Sequence, residues 1–417
     1  MKAFGEIFRL EWRSLVRSRA LALLLVASAV WMFAMPHLVR SDGTEEGARQ
    51  MFVQYALGGV FALTVVSLAV AAAGSLAKER AAKRLQLTRV RPVSAFTVVF
   101  ARTLSLATAG ALVLALAAGV LAAQVELARP CDHVLAPVLE SPRAEAERMY
   151  ALYMRDPGTP KEVREAKKSD VIRILAQRAA ENYQSIPTNA VESWTFGLPA
   201  RAETVSVRLK FTNLYDMRED FFGTFRCGEL TGTVSNVTKS VMRVPLAGPP
   251  GGRADGQLEF RNEGSGDLML RPRRDINLLV GAGPFAANLV RAWLELVSLL
   301  TLAVGFGVFL GASLGRSTAV FAVVAVLFVS VASPAVLEEC PYEIDTTKGD
   351  RAGLAITKFA NAATRPFSAI SPLEHLAADE CVEWSETLGV VAVDLVVLPL
   401  VFAFLSAAVL PRKEDGL

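Results

Sequence analysis

Apolar residues in this chain come in long unbroken blocks, and the blocks predict membrane-crossing helices. A bilayer core needs about 20 apolar residues in helical form. Six blocks reach that length: residues 20–39, 51–76, 96–123, 285–310, 318–337 and 388–410. Strands of an outer-membrane barrel would instead alternate over about ten residues. Ahead of the first block, Phe4, Phe8, Trp12 and Leu15 recur at helical spacing, with Lys2, Arg9, Arg13 and Arg17 on the other side. That pattern predicts an amphipathic helix over 1–19, its apolar face in acyl chains and its cations at anionic headgroups. Ala27-Ser28-Ala29 fits a signal-peptidase site. The apolar run continues past it through Val30-Trp31-Met32-Phe33, which favours a retained helix.

The polar stretch 124–283 has the length of a domain. Up to about residue 186 it reads as charged helix, as in Glu162-Val163-Arg164-Glu165 leading to Val171-Ile172-Arg173-Ile174-Leu175. Beyond that the period becomes two. Thr204-Val205-Ser206-Val207-Arg208-Leu209-Lys210-Phe211 alternates strictly, and shorter strand-like pieces follow between Gly/Pro turns. Many short strands with such turns predict an antiparallel β-sandwich, so the whole stretch is an α+β domain. Asn236-Val237-Thr238 fits a glycosylation acceptor that matters only in a eukaryotic secretory protein.

Composition agrees with two phases, greasy blocks and an ordinary polar domain. Mean hydropathy is +0.37, hydrophobic residues make up 52% of the chain and charged residues 20%. Such a chain is neither disordered nor, at a net charge of +3, a dedicated nucleic-acid binder. The basic residues are uneven. Lys2, Arg9, Arg13, Arg17 and Arg19 precede the first span, and Lys78, Arg80, Lys83, Arg84, Arg89 and Arg91 lie between the second and third. Arg316, Arg412 and Lys413 fall on the same side if six spans alternate. Basic short loops stay cytoplasmic, which places both termini inside and residues 124–283 and 338–386 outside. The predicted order is therefore 1–19, spans one to three over 20–123, the outer domain 124–283, spans four and five over 284–337, an outer loop 338–386, and span six with the tail over 387–417.

All four cysteines, Cys131, Cys227, Cys340 and Cys381, fall in the segments assigned outside, where disulfides persist. Three pairings are open. Cys131–Cys227 within the domain and Cys340–Cys381 across the last loop are preferred, against four unpaired thiols. His37, His133 and His375 are scattered one to a segment, so no metal site is expected. No nucleophile–base constellation points to an enzyme either.

The loop 77–94 carries Glu79, Arg80, Lys83, Arg84 and Arg91, then Pro92-Val93-Ser94, then a span with Arg102 near its start. Here the chain resembles the membrane subunits of ABC transporters of the type-two exporter class. The resemblance covers the membrane parts and not residues 124–283; the family's common Gly-Thr or Gly-Ser within the loop is replaced by Lys83-Arg84. It implies an interfacial elbow helix, six spans, and a coupling helix in the 77–94 loop seated in a separate cytoplasmic ATPase. It also implies residence in a bacterial inner membrane and a homodimer or heterodimer of permease subunits. ATP and Mg would belong to that partner, since this chain has no Gly-x-x-x-x-Gly-Lys-Ser/Thr loop and no cofactor of its own. The outer domain would meet substrate or envelope partners; membrane lipid is the other partner. Two rivals are a force or signal transmitter without transport, and an anchored binding module.

Inside the predicted spans, Asp394 is an acid six residues into the sixth, with Pro399 five residues later as an expected kink. With Arg291 and Glu295 in the first turns of the fourth span, it is expected to form a polar cluster on a translocation path. Gly307, Gly311 and Gly315 make two small-xxx-small steps for close helix packing.

Overall fold

The computed structural model describes residues 2–38, 45–81, 93–125, 130–155, 167–198, 205–213, 219–238, 241–249, 253–339 and 372–414. The chain divides into two compact units, Met1–Arg129 with Pro284–Leu417, and Pro130–Gly283. In chain order, α1 (Lys2–Val16), α2 (Arg19–Leu38), α3 (Glu45–Ala81) and α4 (Ala95–Gln124) open the first unit. The second holds β1 (Pro130–Leu135), α5 (Pro142–Arg155), α6 (Lys168–Glu181), β2 (Gln184–Ile186), β3 (Val191–Thr195), β4 (Val205–Leu209), β5 (Asp220–Cys227), β6 (Leu230–Val237), β7 (Met242–Leu246), β8 (Gln257–Asn262), β9 (Leu268–Leu270) and β10 (Ile276–Pro284). The chain then forms α7 (Phe285–Ser313), α8 (Arg316–Glu339), α9 (Pro372–Ala377), α10 (Trp384–Val390), a π-helical stretch (Val391–Val397) and α11 (Leu398–Glu414).

Five helical runs among the described residues are long and apolar enough to cross a membrane: Arg19–Leu38, Ala48–Glu79, Ala95–Gln124, Phe285–Ser313 and Trp384–Leu410. This is the composition of a multi-pass membrane protein. The fifth expected span, 318–337, falls on α8, whose apolar run among the described residues is the shorter Arg316–Ser330. Helix α7 is the axis of the unit. Of its most apolar window 72% is buried, against 22% for α2 and 17% for Trp384–Leu410. It packs against α3, α4, α8 and α11.

The contact of α7 with α3 is set by glycine. A Cβ on Gly307 would lie 2.5 Å from the Ala69 carbonyl oxygen, and one on Gly311 would lie 2.5 Å from that of Ala73. The two backbones touch there, with Ala72 and Ala73 fully buried on the α3 side. Gly315 has open space above it, so the close approach uses two of the three predicted glycines.

The run from α10 to α11 changes pitch where the sequence contains Pro399. Proline has no N–H to give the carbonyl four residues back. The ladder just upstream is wound wider, and the N–H of Leu398 donates to Val393, five residues back. A π-helical stretch thus stands just before Pro399, with Asp394 within it.

The second unit is built on antiparallel sheets. One has the order β1-β10-β4-β7, another β3-β8-β5-β6, and β2 pairs with β9. Alternate residues of both four-stranded sheets enter one apolar cluster. Val207, Leu209, Ile276 and Leu278 come from the first and Phe221, Phe225, Leu258 and Phe260 from the second. Phe211 links them, its ring 4.9 Å from Phe260 and 5.1 Å edge-on from Phe221. Such aromatic pairs add about 0.5–1.5 kcal/mol beyond their buried area. Helices α5 and α6 pack on each other around Ala146, Val171 and Leu175. Strand β1 stands in the part read from sequence as helical; Pro130-Cys131-Asp132-His133 lacks the alternation that marks β4.

Leucine at Gly307 or Gly311 has to displace backbone rather than a side chain. Overpacking of this kind costs about 1–3 kcal/mol. Gly307→Leu and Gly311→Leu are expected to lower the thermal midpoint of the detergent-purified protein by several degrees, while Gly315→Ala leaves it unchanged.

Candidate functional site

Two sets of polar side chains stand out in the helical unit. The first joins three helix ends. Arg102, two turns into α4, is 4% exposed. Its Nη2 donates to Glu11 Oε1 at 2.6 Å and to Glu79 Oε1 at 2.7 Å, and its Nε donates to Glu11 Oε1 at 3.1 Å. Glu11 lies on α1 and Glu79 at the end of α3. A buried guanidinium is tolerable only when paired. Here it holds two carboxylates, so the trio carries one net negative charge. Ser94 is placed by a different rule. It is the N-cap of α4, its hydroxyl accepting from the Thr97 N–H at 3.2 Å. This satisfies one of the orphan donors of a helix start.

Of the predicted loop residues, the structure brings Glu79 and Arg102 together. Lys83, Arg84, Arg91 and Pro92 lie outside the described residues, as does the side chain of Arg80. Glu11 was missed. It interrupts the stripe of Phe4, Ile7, Phe8, Trp12 and Leu15, and an acid in such a stripe is the signal that could have found it. That stripe corrects one expectation. It does not turn wholly into acyl chains: Phe4 lies 5.8 Å from the ring of Phe100 on α4, and Leu15 packs on the bundle core. Residues Arg9, Arg13 and Arg17 form the exposed face.

The second set gathers around α9 and the starts of α7 and α10. The fully buried Asn288 amide donates to the Glu380 carbonyl at 2.7 Å and accepts from the Val382 N–H at 2.8 Å. Arg291 Nη1 donates to the Val382 carbonyl at 2.9 Å, and its guanidinium lies 5.1 Å from the Trp384 ring centre. Glu295 is 1% exposed and accepts from the Thr387 hydroxyl at 2.8 Å. Arg49 on α3 pairs with Asp379 at 2.5 Å. Asp379 adopts a left-handed φ of 56°, a conformation that Asp tolerates better than most residues. His375 Nδ1 lies 2.9 Å from Glu380 Oε2, and this hydrogen bond holds the imidazole above its ordinary value of 6.5.

Arg291, Glu295 and Asp394 therefore each meet different surroundings. No hydrogen bond or ion pair among the described residues joins Asp394 to the other two. Asn288, Arg49 and Thr387 carry no sequence signal, because a single polar residue near a helix end is ordinary.

The cysteines depart from the preferred pairing. Cys227 is a free, buried thiol, pushed up by its burial, so it is not joined to Cys131. The inward face of β5 places it in the shared apolar core. Cys131 and Cys381 are each disulfide-bonded, and Cys340 lies outside the described residues. Among the described residues no group of three His, Cys, Asp or Glu side chains could hold a metal ion.

Comparison with protein-family models, with curated proteins and with solved structures finds no match for this chain.

Removing one partner of the buried Arg102 leaves the guanidinium with Glu79 alone. A hydrogen bond to a charged group contributes about 1.5–3 kcal/mol. Glu11→Ala is expected to destabilise the purified protein by that order. Glu79→Ala should cost less, because Glu79 is more exposed (35% against 24%). Thermal melting of both variants beside wild type gives the comparison.

The histidine gives a pH dependence with a definite sign. A folded value raised above 6.5 means that the His375–Glu380 contribution is complete below pH 6.5 and fades as pH rises through the folded value. The protein is expected to melt higher at pH 6 than at pH 8, and His375→Gln should narrow that difference. An unchanged difference in the variant would assign the pH dependence to another group.

Proposed function

We propose that this protein is the membrane-spanning subunit of an ATP-driven transporter of the ABC type-two exporter class. The reading has six spans, α8 being the fifth, with α1 as the elbow helix at the inner face. Both termini lie in the cytoplasm of a bacterial cell with an inner membrane, and Pro130–Gly283 lies outside, folded as an antiparallel sandwich. A separate ATPase, holding ATP and Mg, docks on the loop 77–94. Two permease subunits, alike or different, make the transporter.

The observation that carries this reading is the buried Arg102 bound to both Glu79 and Glu11. Glu79 is the last turn of α3 before the basic loop, Arg102 belongs to the helix after it, and Glu11 to the amphipathic helix. A displacement of the loop would be passed by this ion-paired joint to three helices at once. A rigid joint between packed helices is what converts a local push into a rigid-body shift. An anchored binding module has no need of such a joint. A force transmitter without transport would use it equally, and that rival keeps the same partner.

Co-expression with the ATPase encoded nearest to it is the first test, read as co-purification and as stimulated ATP hydrolysis. Arg91→Glu and Pro92→Ala are then expected to leave the complex intact and to lower the stimulation severalfold. Transport by the reconstituted pair separates exporter from force transmitter. Failure of every candidate ATPase to co-purify would overturn both ABC readings.

A further inference from the structure

On the first turns of α7, which also carry Asn288, Arg291 and Glu295, a groove of about 320 Å³ runs between α4 and α7. Ala115, Ala118 and Gly119 form one wall, and Leu289, Val290 and Trp293 the other. A Cβ on Gly119 would meet nothing within 4 Å, so the groove is open at that residue. The walls carry a single hydrogen-bonding side-chain group, the indole N–H of Trp293. It is already donated to the Ala111 carbonyl at 3.3 Å, a bond that holds the ring in place as a wall. A polar solute would find no partner here, and burying an unpaired polar group is costly. The lining suits hydrocarbon.

Position decides which hydrocarbon. Residues 115–119 lie in the last turns of α4, and 289–293 in the first turns of α7. At a rise of about 1.5 Å per residue, the whole groove lies within about 15 Å of those helix ends. Both helices are about 45 Å long, so the groove lies toward one face of a core about 30 Å thick. Both helices belong to the runs apolar enough to cross a membrane, so bilayer chains surround the groove. A helix of a second copy is about 10 Å across and could lay only single side chains into a space of this size. One acyl chain can run along its length.

We propose that this groove is a binding site for an acyl chain of a membrane phospholipid, held longer than the lipid that merely surrounds the bundle. The site needs no assumption about transport.

The test uses the full-length protein in nanodiscs of phosphatidylcholine carrying a photoreactive diazirine within the chain. Labelled residues are mapped by mass spectrometry. The exposed positions Leu23, Val26 and Phe33 of α2 report surrounding lipid. After exchange against unlabelled lipid, labelling of residues 115–119 and 289–293 is expected to persist while labelling of α2 is lost. Gly119→Phe, which fills the groove, is expected to abolish the persistent labelling and leave that of α2. Gly119→Leu serves the same purpose if the larger ring prevents folding, and the wild-type exchange result stands without either variant. Groove labelling that exchanges as fast as that of α2 would overturn the proposal. So would persistence in the filled variant, or protein–protein cross-links from Ala115→Cys showing that a second copy covers the groove.

Discussion

The helical unit depends on backbone contact between α3 and α7. Lipid chains are as apolar as leucine, so helices in a bilayer gain little by burying apolar surface against each other. They gain by approaching closely. Gly307 and Gly311 let the α7 backbone reach the carbonyls of Ala69 and Ala73, and alanines complete the α3 face. α7 is the most buried of the five apolar runs, with α4, α8 and α11 also packed against it. The end of α3 is thereby held beside α4, where Glu79 can reach Arg102. At the far end of the pair, Arg49 of α3 and Asn288 of α7 both hold the segment around α9.

The β unit is held together differently. Its core is a conventional hydrophobic one, with large aromatic side chains meeting edge-on and tilted. Water surrounds that kind of core and supplies the driving force that the membrane withholds. Different solvents explain why small residues, Gly307 and Gly311 against Ala69, Ala72 and Ala73, set the closest helix contact, while rings such as Phe211, Phe225 and Phe260 meet within the β core.

These two rules also explain what could be read from sequence. Long apolar blocks and strict alternation are local periodicities, so most helical runs and β4 were visible, and the small-xxx-small steps pointed to α7. The strand β1 was not visible, because its fit comes from the sheet it joins and not from its own pattern. Glu79 and Arg102 could be picked out only through a family resemblance, and their meeting was not itself foreseen. Glu11 was passed over, since its partner lies 91 residues away. Cysteine location was a poor guide to pairing. Residence in the same outer segment did not join Cys131 to Cys227, because the inward face of β5 buries that thiol in the core. Pro399 announced a break in regular winding, but the width of the resulting π stretch depends on which carbonyl the next N–H finds.

The charged groups in the apolar helices form a graded series. Arg102 has two carboxylates. Arg291 has a carbonyl and an aromatic face, and Glu295 has one hydroxyl. Asp394, 6% exposed, has no hydrogen bond or ion pair among the described residues. The penalty for a polar group away from water falls with each partner supplied. Arg102 is thus the group whose pairing accounts best for its burial. Asp394 is at the opposite end, in the stretch that, among the described residues, is wound as a π-helix. Wider winding displaces a side chain around the helix relative to regular α geometry, which is why such stretches recur at functional positions. Packing among the described residues does not explain a carboxyl there, because an apolar residue would fill the same place at lower cost.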